Sequence, residues 1–288
     1  MYVATLIAPK GALDPALVES LRNAWGGGSV QWLSPDEAAE FSLEQMPSNR
    51  WQVWEELQGL RTDLIVQAAE GRAKRMLLAD MDSTMIEQEC IDELAEEAGV
   101  GAHVRDITAR AMNGEIDFEG ALVERVALLK GLPEAVIDRV LETRISFMPG
   151  GRALVATMKA QGGYAALVSG GFTAFTAHVA EVLGFDAHRA NRLIVACGVL
   201  SGEVERPILG RAAKVTALEE ITAWLGIGAG DVIAVGDGAN DLGMLGRAGT
   251  GVALHAKPSV AAQCDVRVMH GDLTALLYLQ GYAASEFA

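Results

Sequence analysis

The chain has 288 residues, half of them hydrophobic and 21% charged, which suffices for one large domain with additions or two modest ones and excludes general disorder. Its 23 basic and 38 acidic residues give a formal net charge of −15, against the clustered positive charge that a nucleic-acid or anionic-membrane partner demands. No apolar run approaches the roughly 20 residues that span a bilayer, and three distant cysteines without Cys-x-x-Cys spacing exclude a disulfide framework or structural zinc.

In chain order, the first 72 residues read as strand (Tyr2–Ile7), helix (Pro15–Trp25), strand (Ser29–Leu33), strand (Ala39–Leu43), helix (Asn49–Leu60) and strand (Asp63–Ala68). That order predicts a small ferredoxin-like α+β domain, with Gly71 to Arg75 as linker. The chain opens directly on a strand, without a basic leader or cleavage signal, and a cytoplasmic location is expected.

From Met76 onward, short apolar runs alternate with helical patterns. The runs are Met76–Ala79, Ala165–Val168, Val232–Val235, Gly251–Leu254 and Val266–Met269. Each is too uniformly apolar for a half-exposed strand, and together they predict a parallel sheet covered on both faces, a doubly wound α/β domain over 73–288. Residues from about 87 to 148 break the alternation with four helix-like stretches, Glu89–Ala98, His103–Met112, Phe118–Leu129 and Pro133–Thr143. A helical insertion after the first core strand reads as a cap over the sheet's carboxyl edge, where ligands gather in such folds. Two extended runs around Cys197-Gly198 predict a hairpin, placed as a flap beside the site.

Four constellations fall at strand ends. Asp80-Met81-Asp82-Ser83-Thr84 offers two carboxylates one residue apart, on one side if the chain is still extended. One can attack phosphorus while the other handles protons, splitting hydrolysis into two displacements through an acyl phosphate. Taken alone, Asp-x-Asp is a common loop decoration. Ser169-Gly170-Gly171 follows the second strand, and a hydroxyl with free backbone N–H groups at a helix start suits phosphate oxygens. Lys214 opens a helix, a place usually given to a solvated charge, but it would neutralise phosphate in a phosphoryl-transfer site. Gly236-Asp237-Gly238-Ala239-Asn240-Asp241 predicts a sharp turn that aims Asp237 at a hard cation such as Mg2+, with Asp241 holding Lys214 or a metal-bound water.

The ordered set of these four motifs resembles the haloacid dehalogenase-like hydrolases, from about Met76 to the C-terminus. The finer resemblance is to their phosphoserine phosphatase branch. It rests further on Ile91-Asp92-Glu93-Leu94-Ala95, Ala111-Met112-Asn113-Gly114, Phe118, Glu124-Arg125-Val126 and Ala190-Asn191-Arg192-Leu193. The resemblance implies a Rossmannoid core and hydrolysis of O-phospho-L-serine through an aspartyl phosphate, with Mg2+ as cofactor. It implies Asp80 as nucleophile and metal ligand, Asp82 as general acid and base with its backbone carbonyl on the metal, and Asp237 as further ligand. Ser169, Gly170 and Lys214 would hold the phosphoryl group, with Asn240, Asp241 and Thr84 shaping the site. Glu89 would meet the substrate ammonium, Arg125 its carboxylate, and Met112 and Phe118 would close over it. Some relatives carry an amino-acid-binding ACT-like domain ahead of the catalytic one. That leaves room for residues 1–72 to be such a unit, for an amino-acid ligand there and for a homodimer, though no signature claims a ligand. A phosphotransferase or phosphatase acting on another alcohol, such as phosphohomoserine, would use the same four motifs. A non-catalytic amino-acid sensor fits poorly with a full catalytic set.

Overall fold

The first part of the chain runs β1 (Tyr2–Ile7), α1 (Pro15–Ala24), β2 (Gln31–Ser34), β3 (Ala38–Leu43), α2 (Arg50–Gln58) and β4 (Asp63–Ala68). Its strands form an antiparallel sheet in the order β2-β3-β1-β4, the ferredoxin-like arrangement in which each helix crosses over an intervening strand. The alternation of side chains explains why this sheet is held on both faces. Ala4, Leu6, Phe41 and Leu64 pack under α1 and α2, while Ile7, Leu33 and Ile65 belong to the core of the larger sheet.

That larger sheet follows β5 (Met76–Ala79). The computed structural model describes residues 1–112 and 116–288, with the side chains at 109, 111 and 112 outside the description. After β5 come the helices α3 (Cys90–Glu97), α4 (Gly101–Met112), α5 (Phe118–Ala127), α6 (Ala135–Thr143) and α7 (Gly151–Ala160). Then follow β6 (Tyr164–Phe172), α8 (Thr173–Leu183), β7 (Ala187–Asn191), the hairpin β8 (Leu193–Ala196) and β9 (Val199–Val204), and α9 (Arg211–Leu225). The chain closes with β10 (Val232–Gly236), α10 (Leu242–Arg247), β11 (Thr250–Leu254), α11 (Pro258–Ala261), β12 (Val266–Val268) and α12 (Ala275–Gln280).

Six strands align in parallel in the order β12-β11-β10-β5-β6-β7. Alternate residues go to opposite cores: Leu77, Ala79, Leu167, Ile233 and Val235 to one, Met76, Leu78, Ala166, Val232 and Ala234 to the other. Both faces are therefore apolar, as the uniform runs require. The chain reverses its direction of build-up between β5 and β10, so the crevice beyond their carboxyl ends is the topological switch point.

Two strands differ from expectation. The strand expected to stop at Val168 continues to Phe172, and its pairing with β7 is interrupted between Val168 and Phe172. Ser169-Gly170-Gly171 is thus an irregular piece of strand rather than a turn, and α8 starts only at Thr173. The edge strand β7 escaped the apolar-run reading because it carries His188 and Arg189, polar residues common at sheet edges.

The helices α3 to α6 lie between two antiparallel connections. Glu87 N–H donates to Ser146 O at 3.0 Å, Met148 N–H to Met85 O at 2.9 Å, and Ile86 bridges Phe147. The hairpin does not act as a flap over the site. It props the insertion from outside, with Gly131 N–H donating to Leu200 O and Glu134 N–H to Gly198 O.

Candidate active site

Asp80 follows the last residue of β5, and its N–H donates to Val235 O at 3.0 Å, which ties the ends of β5 and β10 together. Behind Asp80 lies Lys214, on the first turn of α9, 2% exposed. Its Nζ stands 2.6 Å from Asp80 Oδ1 and 2.6 Å from Asp241 Oδ1. Burial alone would strip the ammonium of its proton; Asp241 and Asp80 outweigh this and hold its pKa above the ordinary lysine value. Burial, and then the charge of Asp241, push Asp80 well above the usual carboxylate range against the pull of Lys214.

Asp82 faces the same crevice but takes different partners. Its Oδ1 accepts from Cys90 N–H at 2.9 Å and its Oδ2 from the Ser169 hydroxyl at 3.2 Å. Burial raises its pKa, with Cys90 and Ser169 opposing. The chain can turn away immediately after Asp82 because Ser83 adopts φ 54°, and three N–H groups, of Thr84, Met85 and Ile86, converge on Met81 O. Ser169 in turn accepts from Gly171 N–H at 2.8 Å.

In the Gly236–Asp241 loop, Asp241 is fully buried, and its Oδ2 accepts from Gly238 N–H at 3.0 Å. Of the two roles expected for Asp241, holding Lys214 is the one its geometry meets. Neither Gly236 nor Gly238 has a positive φ, so the expected sharp turn is not what requires glycine here. Close approach does: a Cβ on Gly236 would lie 2.4 Å from Asp241 Cγ, and one on Gly238 2.3 Å from Asn240 Oδ1. Thr84 donates to Asp237 Oδ1 at 3.3 Å. Burial and the neighbouring Asp241 push Asp237 up to about 6.

Oxygens of Asp80, Asp237 and Asp241 lie within 4.8 Å of one another. Three largely buried carboxylates share one ammonium, a surplus of negative charge that a hard cation with oxygen ligands fits. The Asp82 carboxylate takes no part in this group.

A cavity of about 400 Å3 opens over these residues, lined by Asp80, Asp82, Ser169, Gly170, Asp237 and Asn240 from the sheet side. The helical insertion supplies Glu89, Thr108, Phe118, Leu122 and Arg125. Glu89 immediately precedes α3, and its Oε1 accepts from the Ser83 hydroxyl at 2.8 Å. Burial, then Asp82, push it up to about 8. Arg125 on α5 donates from Nε to Ala121 O at 3.2 Å and reaches the Thr108 hydroxyl at 3.3 Å, which aims the guanidinium, and among the described residues no carboxylate forms an ion pair with it. Phe118 begins α5, capped by Asp117, whose side chain accepts from Gly120 N–H. Its ring lies so near Gly170 that a Cβ there would meet it at 2.8 Å. Met112 lies outside the described residues as far as its side chain is concerned.

Of the expected residues, Asp80, Asp82, Glu89, Phe118, Arg125, Ser169, Gly170, Asp237 and Asn240 share the cavity, while Lys214, Asp241 and Thr84 are buried partners of its acids. Several contributors were not anticipated. Asn191 donates to Gly170 O at 2.8 Å and Leu209 O at 3.1 Å and accepts from Leu209 N–H, pinning the irregular strand. Its signal was the Ala-Asn-Arg-Leu run. Arg211, Lys257 and Ser259 reach the cavity from loops and helix starts that no local pattern marks.

The family model described as haloacid dehalogenase-like hydrolase matches residues 77–246, more than half the chain. A phosphoserine phosphatase of Archaeoglobus fulgidus is 44% identical over 223 residues, which cover 77% of this chain and 64% of that protein. The chain thus spans less than two thirds of that relative's length. Among solved structures, a hydrolase of the same family from Salmonella enterica superposes with TM-score 0.88 at 29% identity, over 96% of this chain and 97% of its own. A phosphoserine phosphatase holding a phospho-aspartyl intermediate analogue gives TM-score 0.68 at 41% identity, over 72% of this chain and 98% of its own.

Proposed function

Since the chain belongs to the haloacid dehalogenase-like hydrolases, we propose that it is a magnesium-dependent phosphoserine phosphatase. The observation that carries this reading is the gathering in one cavity of Asp80, Asp82 and the Ser169-Gly170 strand end with an acid, Glu89, and a guanidinium, Arg125. A phosphorylated amino acid has a phosphate, an ammonium and a carboxylate, and each finds its complement there. The phosphoserine phosphatases named above are similar over the same part of the chain.

In this reading Asp80 attacks phosphorus and becomes an aspartyl phosphate, while Lys214 balances charge on the attacking oxygen and the phosphoryl group. Asp82, with its pKa raised by burial, carries the proton to the leaving serine oxygen and then takes one from the incoming water. Ser169 and Gly170 N–H hold phosphoryl oxygens, and Asn240 and Asp241 shape the loop beside them. Asp80, Asp237 and the Asp82 backbone carbonyl would hold the metal. Mg2+ there would screen the phosphate's charge and orient it for in-line attack. Phe118, with Met112, closes the insertion over the bound serine.

Residues 1–72 stand in the proposal as a separate unit from the catalytic 73–288, with the cap at about 87–148. An ACT-like amino-acid site in that unit and a homodimer remain part of the reading. So does a cytoplasmic location; among the described residues no helix is long and apolar enough to cross a membrane.

The test is phosphate release from a panel of small phosphomonoesters, with Mg2+ and with EDTA. Phosphoserine should be the best substrate, and chelation should abolish release. A product profile that gains a new phosphate ester when a second alcohol is added would mark a phosphotransferase instead, and equal release in EDTA would end the metal assignment.

A further inference from the structure

The strand end that carries Ser169 and Gly170 is held by a side chain set back from the cavity. Between Val168 and Phe172 neither β5 nor β7 pairs with β6, so no ladder bond fixes the peptide that joins Gly170 to Gly171. A glycine on each side leaves that peptide plane unusually free to rotate. Both its ends are nevertheless taken. Its carbonyl, Gly170 O, accepts from Asn191 Nδ2 at 2.8 Å, and its N–H, that of Gly171, donates to Ser169 Oγ at 2.8 Å. A peptide unit is planar, so holding the carbonyl aims the N–H.

The bonds run on in both directions. Ser169 donates its hydroxyl to Asp82 Oδ2 at 3.2 Å. Asn191 also donates to Leu209 O at 3.1 Å and accepts from Leu209 N–H at 2.7 Å, which anchors its carboxamide to the segment just ahead of α9. Asn191 is 2% exposed, whereas Ser169, Gly170 and Asp82 line the cavity. Donors thus lead from Leu209 N–H through Asn191, the Gly170–Gly171 peptide and Ser169 to Asp82, each bond polarising the next.

We propose that Asn191 is a positioning residue of the phosphoryl site: it fixes the plane of the Gly170–Gly171 peptide and thereby aims the Ser169 hydroxyl, without touching substrate. This role rests on the phosphatase reading, in which Ser169 and Gly170 hold phosphoryl oxygens. It acts at the end that every phosphomonoester shares, so its loss falls on all of them alike. Selection at Glu89 and Arg125 is left as it was.

Two variants test this. Asn191→Ala removes all three bonds. Asn191→Asp keeps an acceptor for Leu209 N–H but loses both donated bonds, and sets an acceptor against Gly170 O. Circular dichroism shows which of them folds, and either serves if the other does not. Each should lower kcat/KM for phosphoserine and for phosphoethanolamine by the same factor, about 10- to 100-fold, somewhat below the loss of an oriented donor outright. Orthovanadate, which fills the phosphoryl end alone, should inhibit the variants about tenfold more weakly, a shift that lost stability by itself does not produce. Amide exchange at Gly171, followed by NMR, should quicken at least about tenfold, because the peptide is no longer held. The assignment fails if the variants turn over both substrates like the parent chain, or if the loss falls on phosphoserine alone. It fails equally if orthovanadate inhibits as before or if Gly171 exchanges no faster. The exchange readout needs no turnover, so a parent chain that releases no phosphate ends the phosphatase reading and is told apart from a failure of Asn191 to hold the peptide.

Discussion

Three acids in one cavity face different partners, and their chemistry diverges accordingly. Asp80 sits against Lys214, Asp82 against two donors, and Glu89 against a hydroxyl, so only Asp80 combines a buried ammonium with the metal-type group. Asp80→Asn should lower turnover by several orders of magnitude with the fold retained, read as kcat beside an unchanged circular dichroism spectrum. Recognition is separable from chemistry. Arg125→Ala should cut kcat/KM for phosphoserine by on the order of 10² to 10³ but spare phosphoethanolamine, which lacks the carboxylate. If both substrates slow equally, Arg125 serves the fold or the reaction and not selection. Glu89 adds a signature in stability. Its folded pKa of about 8 exceeds the ordinary 4.5, so across that window the unfolded chain has lost a proton that the folded chain keeps. Stability contributed by this proton is full below pH 4.5 and drains as pH rises towards 8. Glu89→Gln has no such proton, so its Tm relative to the parent should climb from acid to pH 8 and then level off.

At the scale of elements, the insertion meets the sheet beside the cavity where Phe118 of α5 approaches Gly170 of β6. Phe118 approaches Gly170 so closely that Gly170→Ala would set a methyl 2.8 Å from the ring, and the ring would have to shift. The expected result is a raised KM for phosphoserine with a smaller loss of kcat, because the backbone proposed to hold the phosphoryl group stays in place while Phe118 does not. An equal fall in kcat at unchanged KM would mean the strand end had moved instead. The helical insertion itself was legible: its four helices fall within a few residues of the stretches read from periodicity. The irregular end of β6 was not. Ser-Gly-Gly reads as a turn to any local rule, and only pairing with β7, resumed at Phe172 and held by Asn191, keeps it a strand.

Across the whole molecule, one buried carboxylate joins the two sheets. Asp63, on β4, accepts from Met269 N–H at 2.8 Å, His270 N–H at 3.0 Å and Gly271 N–H at 2.8 Å. Gly271 O is in turn bonded to His255 at the end of β11, so the first unit is anchored to the sheet that carries the site. Asp63→Ala leaves one buried and two half-buried donors without their acceptor and should cost on the order of 2–4 kcal/mol, seen as a lower denaturation midpoint. A change within a few tenths of a kcal/mol would show that water takes the place of the carboxylate.

The sequence by itself determined five of the six strands of the parallel sheet and the acids at its strand ends, because burial on two faces and a period of 3.6 leave their mark residue by residue. It also carried the ferredoxin-like order of the first 72 residues. What only the tertiary structure decided is which partner each group has. Asp241 and Lys214 are 27 residues apart, Thr84 and Asp237 153, and Asp63 and Gly271 208. Local periodicity encodes which face a side chain takes, but not what the opposite element brings to meet it.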